Sequence, residues 1–78
     1  MKKPWIIVEE KGNKFEIFAR DYLRAHLIFQ EVDMWFNHPE MYTKEDFDFI
    51  VNRRGFNNKE IETLKRLCIF IRLKPIWA

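Results

Sequence analysis

Apolar residues occupy two opposite sides of the helix that the sequence predicts between Asp21 and Asn37. At 100° per residue, one arc of about 140° holds the larger apolar set. This set consists of Tyr22, Ala25, Ile28, Phe29, Val32, Trp35 and Phe36. A narrow stripe on the far side, called here the α1 stripe, consists of Leu23, Leu27 and Met34. One apolar face is enough to dock a helix on a small core, so the second must be covered by the rest of the fold or by another molecule.

The length of the chain, 78 residues, allows one small hydrophobic core. We therefore expect a single domain over residues 1–78. The composition is rich in large rings, with 8 Phe, 3 Trp and 2 Tyr against only 2 Gly and 3 Pro. Two explanations stay open: bulky side chains fill the core of a short chain, or some of the rings form a docking surface.

The cysteine count and the apolar runs bear on the compartment. The single cysteine, Cys68, can form neither an internal disulfide nor a thiol pair for zinc. The run Trp5–Val8 is too short for a signal peptide or a membrane span, which need roughly 7–15 and about 20 apolar residues respectively. We expect a cytoplasmic protein without a membrane segment.

The first part of the chain predicts a β-hairpin. The β-rich run Trp5–Val8 and the alternating run Phe15–Phe18 flank the turn-like segment Glu10–Asn13. Phe15 and Ile17 are expected on one face of the second strand, with Glu16 and Phe18 on the other.

Three helices are predicted after the hairpin. Asp21 is placed to cap the first, which runs to about Phe36 and stops before Pro39. Thr43 is placed to cap the second, from Lys44 to about Arg53, which Gly55 terminates.

A capping-box spacing of Asn57 and Glu60 opens the third helix. From Cys68 onward the pattern fits either a helix to about Leu73 or a strand that returns to the hairpin. The expected fold class is α+β: an N-terminal β-hairpin followed by three helices, the last element being a helix or a helix and then a strand.

Residues that catalyse reactions are scarce. The chain contains no serine, and its two histidines, His26 and His38, lie twelve positions apart. The two glycines are isolated, so no phosphate-binding glycine loop can form. Asp33, His38 and Glu40 have a metal-ligand spacing that also arises often by chance. We expect no enzyme activity, no metal and no cofactor.

The charge layout suggests one alternative function. Seven basic residues between Arg53 and Lys74 face only two acidic ones there, and Asp46–Leu67 resembles a helix-turn-helix in spacing. Phosphate contacts would then come from Arg53, Arg54, Lys59, Lys65 and Arg66. Glu60 and Glu62 oppose DNA binding at the start of the third helix, and an ordinary helical hairpin has the same pattern.

Rings on the hairpin, with Lys14 and Arg20 nearby, are a further option for stacking single-stranded nucleic acid. Trp5, Phe15 and Ile17 alternate with polar residues as a half-buried sheet does, which favours a place in the core.

The main hypothesis is a non-catalytic protein-binding module, a small regulator or inhibitor of the type that phages and mobile elements use. It would dock on a larger protein, or on a second copy as a homodimer, with no membrane or small-molecule cofactor involved. The expected docking residues are Leu23, Leu27, Met34, Phe49 and Trp77. The competing interpretation is that the first helix is central and the fold itself covers the α1 stripe.

Overall fold

A computed structural model of the protein describes residues 3–77. The antiparallel strands β1 (Ile6–Glu10) and β2 (Asn13–Ile17) come first. Helices α1 (Tyr22–Asn37), α2 (Lys44–Arg54) and α3 (Asn58–Phe70) follow, with a 3-10 turn at Pro39–Met41 between the first two. The predicted α+β class, a β-hairpin followed by three helices, is confirmed.

The hairpin closes with a two-residue turn. Lys11 and Gly12 both have positive φ angles, 50° and 83°, as a turn that matches the twist of two antiparallel strands requires. The register pairs Ile6 with Ile17 and Val8 with Phe15, so these four side chains lie on the face toward the core. The predicted division of β2 into an inner and an outer face is confirmed.

The start of α1 and both ends of α2 are fixed by residues next to them in the sequence. The Asp21 carboxylate accepts a hydrogen bond from the Arg24 backbone N–H, and the Thr43 hydroxyl accepts one from that of Asp46. Gly55 ends α2 with a left-handed φ of 65°. These contacts satisfy backbone groups that have no partner within the helices.

The third helix ends at Phe70, three residues before the predicted end, and residues 68–73 contain no strand. The backbone N–H groups of Arg72 and Leu73 donate to the carbonyls of Ile69 and Cys68, at 3.0 and 2.8 Å. Arg72 has a φ of 62°, which completes a Schellman motif. The chain turns back here because the motif lets Leu73 bury its side chain against the core.

The core side of α1 is formed mostly by the larger apolar set that the sequence shows, with Glu31 added on the side toward the α1 stripe. Its buried residues are Ala25, Ile28, Glu31, Val32 and Trp35. Tyr22 and Phe36, expected in the core, are instead largely exposed. The prediction was wrong for these two rings, because the buried side includes the charged Glu31 and is turned toward the α1 stripe.

The first helix is central in the fold. It contacts β1 and α3, while Phe47 and Arg54, near the two ends of α2, contact Trp35 and Glu31. These two contacts make α2 antiparallel to α1. Within the α1 stripe, Leu27 packs against the core and Met34 is half-buried, whereas Leu23 is 64% exposed. The fold thus covers part of the stripe.

Four aromatic rings form a cluster at the C-terminal end of α1. Trp35 stacks on Tyr42 with 4.9 Å between ring centroids, and Phe47 lies 5.7 Å from Trp35. Trp77 meets Tyr42 edge-on at 4.6 Å. Trp77, one of the predicted docking residues, is 37% exposed and also packs on this cluster, because the C-terminal segment folds back onto Tyr42.

None of the helices in the described part of the chain has the length and apolarity needed to cross a lipid bilayer.

The Cys68 thiol provides a test of the packing. It is buried, and burial raises its pKa to about 11, so almost no thiolate is present at neutral pH. We expect iodoacetamide to label the native protein very slowly and to label it at the same urea concentration at which circular dichroism reports unfolding. Rapid labelling of the native protein would contradict this placement.

Candidate docking surfaces

Arg24 fastens the connection between α2 and α3 to the first turn of α1. Its Nε and Nη2 atoms donate to the two carboxylate oxygens of Glu60, each at 2.8 Å. Its Nη1 and Nη2 atoms also donate to the carbonyls of Arg54 and Gly55, at 3.0 and 3.2 Å. The guanidinium carbon lies 5.1 Å from the centre of the Phe56 ring. One side chain thereby holds the last carbonyls of α2 and the first turn of α3 together.

Glu60 has a second partner at the start of α3. Its carboxylate accepts the backbone N–H of Asn57, while the Asn57 side chain accepts that of Glu60, which is the predicted capping box. The hydrogen bonds from Arg24 hold the pKa of Glu60 below its ordinary value, although burial acts in the opposite direction. Of the two glutamates that count against DNA binding in the sequence, Glu60 is therefore ionised and held in an ion pair with Arg24.

A second ion pair is formed by Glu31, which follows Arg24 by seven residues on α1. Arg54 Nε donates to Glu31 Oε1 at 3.2 Å, and Glu31 is 1% exposed. The other oxygen, Glu31 Oε2, has no hydrogen-bond partner in the described part of the chain. Arg24 and Glu31 are seven residues apart on one side of α1, and this spacing of opposite charges between two apolar sides was the signal that sequence reasoning missed.

The five basic residues predicted to contact phosphates in a helix-turn-helix have different surroundings in the structure. Arg54 is held by Glu31, and Arg66 pairs with Glu62 at 3.0 Å on the surface of α3. Lys65 lies 5.9 Å from the centre of the Phe47 ring. Arg53 is exposed, and Lys59 lines a groove described next. Apart from Arg54 these side chains are exposed, and their role in phosphate contacts stays a prediction.

An open groove of about 1130 Å³, called here the basic groove, separates the open end of the hairpin from the start of α3. Its lining includes the rings of Trp5 and Phe18 and the cations Lys3, Arg20 and Lys59. The Arg24–Glu60 pair also reaches it. The sequence favoured a place for Trp5 in the core, but Trp5 faces outward. It directly precedes β1 and continues the alternation of inward and outward side chains along that strand.

A smaller groove of about 230 Å³, called here the acidic-rimmed groove, lies between the hairpin turn, α1 and the end of α3. Its apolar lining consists of Phe29, Val32, Phe36, Leu67 and Ile71. Its charged lining consists of Glu9, Glu10 and Asp33, with no basic residue. The two grooves lie at opposite ends of β1 and of α3.

The predicted docking residues line neither groove. Leu23 and Phe49 are mostly exposed, on α1 and α2 respectively. Leu27 and Met34 are partly buried, and Trp77 belongs to the aromatic cluster. Their role in binding stays a prediction, and the groove residues were missed because they come from distant parts of the chain.

The residues considered for catalysis are separated. His26 stacks on the Tyr22 ring, with 5.9 Å between centroids, and His38 Nδ1 lies 3.6 Å from a Glu40 oxygen on the surface. Cys68 is buried in the core. Within residues 3–77, no three His, Cys, Asp or Glu side chains are grouped so as to hold a metal ion.

No protein family matches this chain, and no curated protein or solved structure matches it either.

The lowered pKa of Glu60 predicts how stability depends on pH. Because its folded-state pKa lies below the unfolded value, the stabilisation is present above the ordinary glutamate pKa and is lost as pH falls through the folded value. We expect Glu60→Gln to lose about 2 kcal/mol or more near neutral pH, and the gap from wild type to shrink as pH falls below the ordinary glutamate pKa. Urea unfolding across this range measures both effects.

Glu62→Gln is the matched control, since its pair with Arg66 is exposed to solvent. This variant should change the free energy of unfolding by less than about 1 kcal/mol at any pH. A gap for Glu60→Gln that stays constant from neutral to acidic pH would contradict the account.

Proposed function

We propose that this protein is a non-catalytic protein-binding module that acts as a small regulator or inhibitor by occupying a site on a larger protein. The observation that supports this proposal is the acidic-rimmed groove. It is concave and apolar, and Phe36 is 53% exposed at its side. A partly exposed aromatic ring beside an apolar groove is typical of the residues that contribute most to protein interfaces.

The charges around the groove indicate the chemistry of the partner. Glu9 has one weak surface contact, to Lys14 at 3.8 Å, and neither Glu10 nor Asp33 forms an ion pair within residues 3–77. A segment with an apolar side chain flanked by lysine or arginine complements such a rim. Binding would bury the exposed part of Phe36 and of the partly exposed Phe29 and Ile71, whereas Val32 and Leu67 are already buried. The apolar area that is newly buried contributes roughly 25 cal/mol per Å² before the losses on association.

Selection from a displayed library of random peptides tests this proposal without knowledge of the natural partner. Wild-type protein should enrich peptides that combine apolar with basic residues. Phe36→Asp should lose these peptides, because it places a charge on the apolar lining. Ile69→Asp is the matched control: Ile69 is 74% exposed on α3 and lines neither groove, so this variant should retain them.

Leu23→Asp serves as a fourth bait, because Leu23 is the most exposed member of the α1 stripe. A set of peptides that binds Phe36→Asp but no longer binds Leu23→Asp would place the docking surface at the α1 stripe. That result would contradict the proposal that it is the acidic-rimmed groove. Enrichment of acidic peptides, or equal binding to Phe36→Asp and wild type, would also contradict it. Circular dichroism of each variant separates loss of binding from loss of the fold.

A further inference from the structure

We infer that the basic groove binds a single strand of nucleic acid, with Trp5 and Phe18 stacking on bases and Lys3, Arg20 and Lys59 contacting phosphates. This is a second site, separate from the acidic-rimmed groove. The two sites have opposite charge, so one ligand does not suit both.

The three cations are free to meet a ligand. Lys3, Arg20 and Lys59 are all exposed, and none has a carboxylate within 4.0 Å in the described part of the chain. The acidic residue that lines the groove, Glu60, is bound on both oxygens by Arg24. The net charge that the groove presents is therefore positive, and it attracts phosphates.

The two rings are exposed and at least one is fixed. Trp5 is 49% exposed and Phe18 is 47% exposed. The Trp5 indole Nε1 donates to the Ala19 carbonyl at 3.0 Å, and the ring meets Tyr22 edge-on at 6.4 Å. A ring held in this way loses little conformational freedom when a base stacks on it. Each ring also has a cation two residues away along the chain, Lys3 beside Trp5 and Arg20 beside Phe18.

The shape of the groove favours a polymer over a small metabolite and a single strand over a duplex. Its volume, about 1130 Å³, exceeds the roughly 300–1000 Å³ of small-molecule pockets, and it is open to solvent. Only unpaired bases offer their faces to exposed rings. An acidic protein segment without apolar side chains would satisfy the cations but leave the two rings without a partner, whereas every nucleotide carries both a phosphate and a base.

Fluorescence anisotropy with a labelled oligo(dT) of about 15 nucleotides tests the inference. We expect saturable binding that weakens as salt rises from about 50 to 200 mM, with a log–log slope near −2 for three phosphate contacts. Trp5→Leu and Phe18→Leu should each weaken binding about fivefold or more, because one stacked base is lost. Neutralising the groove with Lys3→Gln, Arg20→Gln and Lys59→Gln together should bring the salt slope close to zero.

The matched control removes the same charge elsewhere, through Arg53→Gln, Lys65→Gln and Arg66→Gln together. This variant should keep most of the affinity and the salt slope of the wild type. Equal weakening by the two triple variants would overturn the inference, since binding would then depend on net charge alone. Absence of binding to oligo(dT) at about 50 mM salt would also overturn it, as would equally effective competition by duplex DNA or poly-glutamate.

Discussion

The contact on which this fold depends is the bidentate pair between Arg24 and Glu60. Arg24 stands in the first turn of α1, and its guanidinium reaches the last carbonyls of α2 and the capping box of α3 at once. The packing of a chain this small leaves little stability in reserve, so a polar contact that joins three helices has a large share in fixing their arrangement. Because it places the start of α3 opposite the open end of the hairpin, it also determines the walls of the basic groove.

Both grooves are consequences of how α3 lies against the hairpin. The start of α3 and the open end of the hairpin form the basic groove, while the end of α3 and the hairpin turn contribute to the acidic-rimmed groove. The molecule is therefore electrically polarised along this direction. The polarity differs from the one along the sequence, where residues 21–48 hold seven acidic residues against two basic ones, since the acidic rim takes two of its carboxylates, Glu9 and Glu10, from the hairpin. Folding brings the charges together in a new arrangement, and each end suits a ligand of opposite charge.

Local signals in the sequence were sufficient to predict the elements. Asp21, Thr43 and Asn57 cap their helices as expected because an N-cap depends on residues only three positions away. The core side of α1 was harder, since hydrophobic periodicity treats a charge as exposed and gives no account of the partly buried Arg24 and the buried Glu31, whose partners are 36 and 23 residues away. The predicted α3 was too long because residue type does not show that Arg72 forms a Schellman motif. The grooves combine residues from the hairpin, α1 and α3, so no pattern along the chain could reveal them.

A double-mutant cycle on Arg24 and Glu60 measures how strongly this pair holds the three helices together. The free energy of unfolding of the wild type, Arg24→Met, Glu60→Gln and the double variant, all near neutral pH, gives the coupling between the two side chains. We expect a coupling energy of about 2 kcal/mol or more, with each single variant losing nearly as much stability as the double variant. Additive effects, with a coupling energy near zero, would contradict the claim that this pair holds the three helices together.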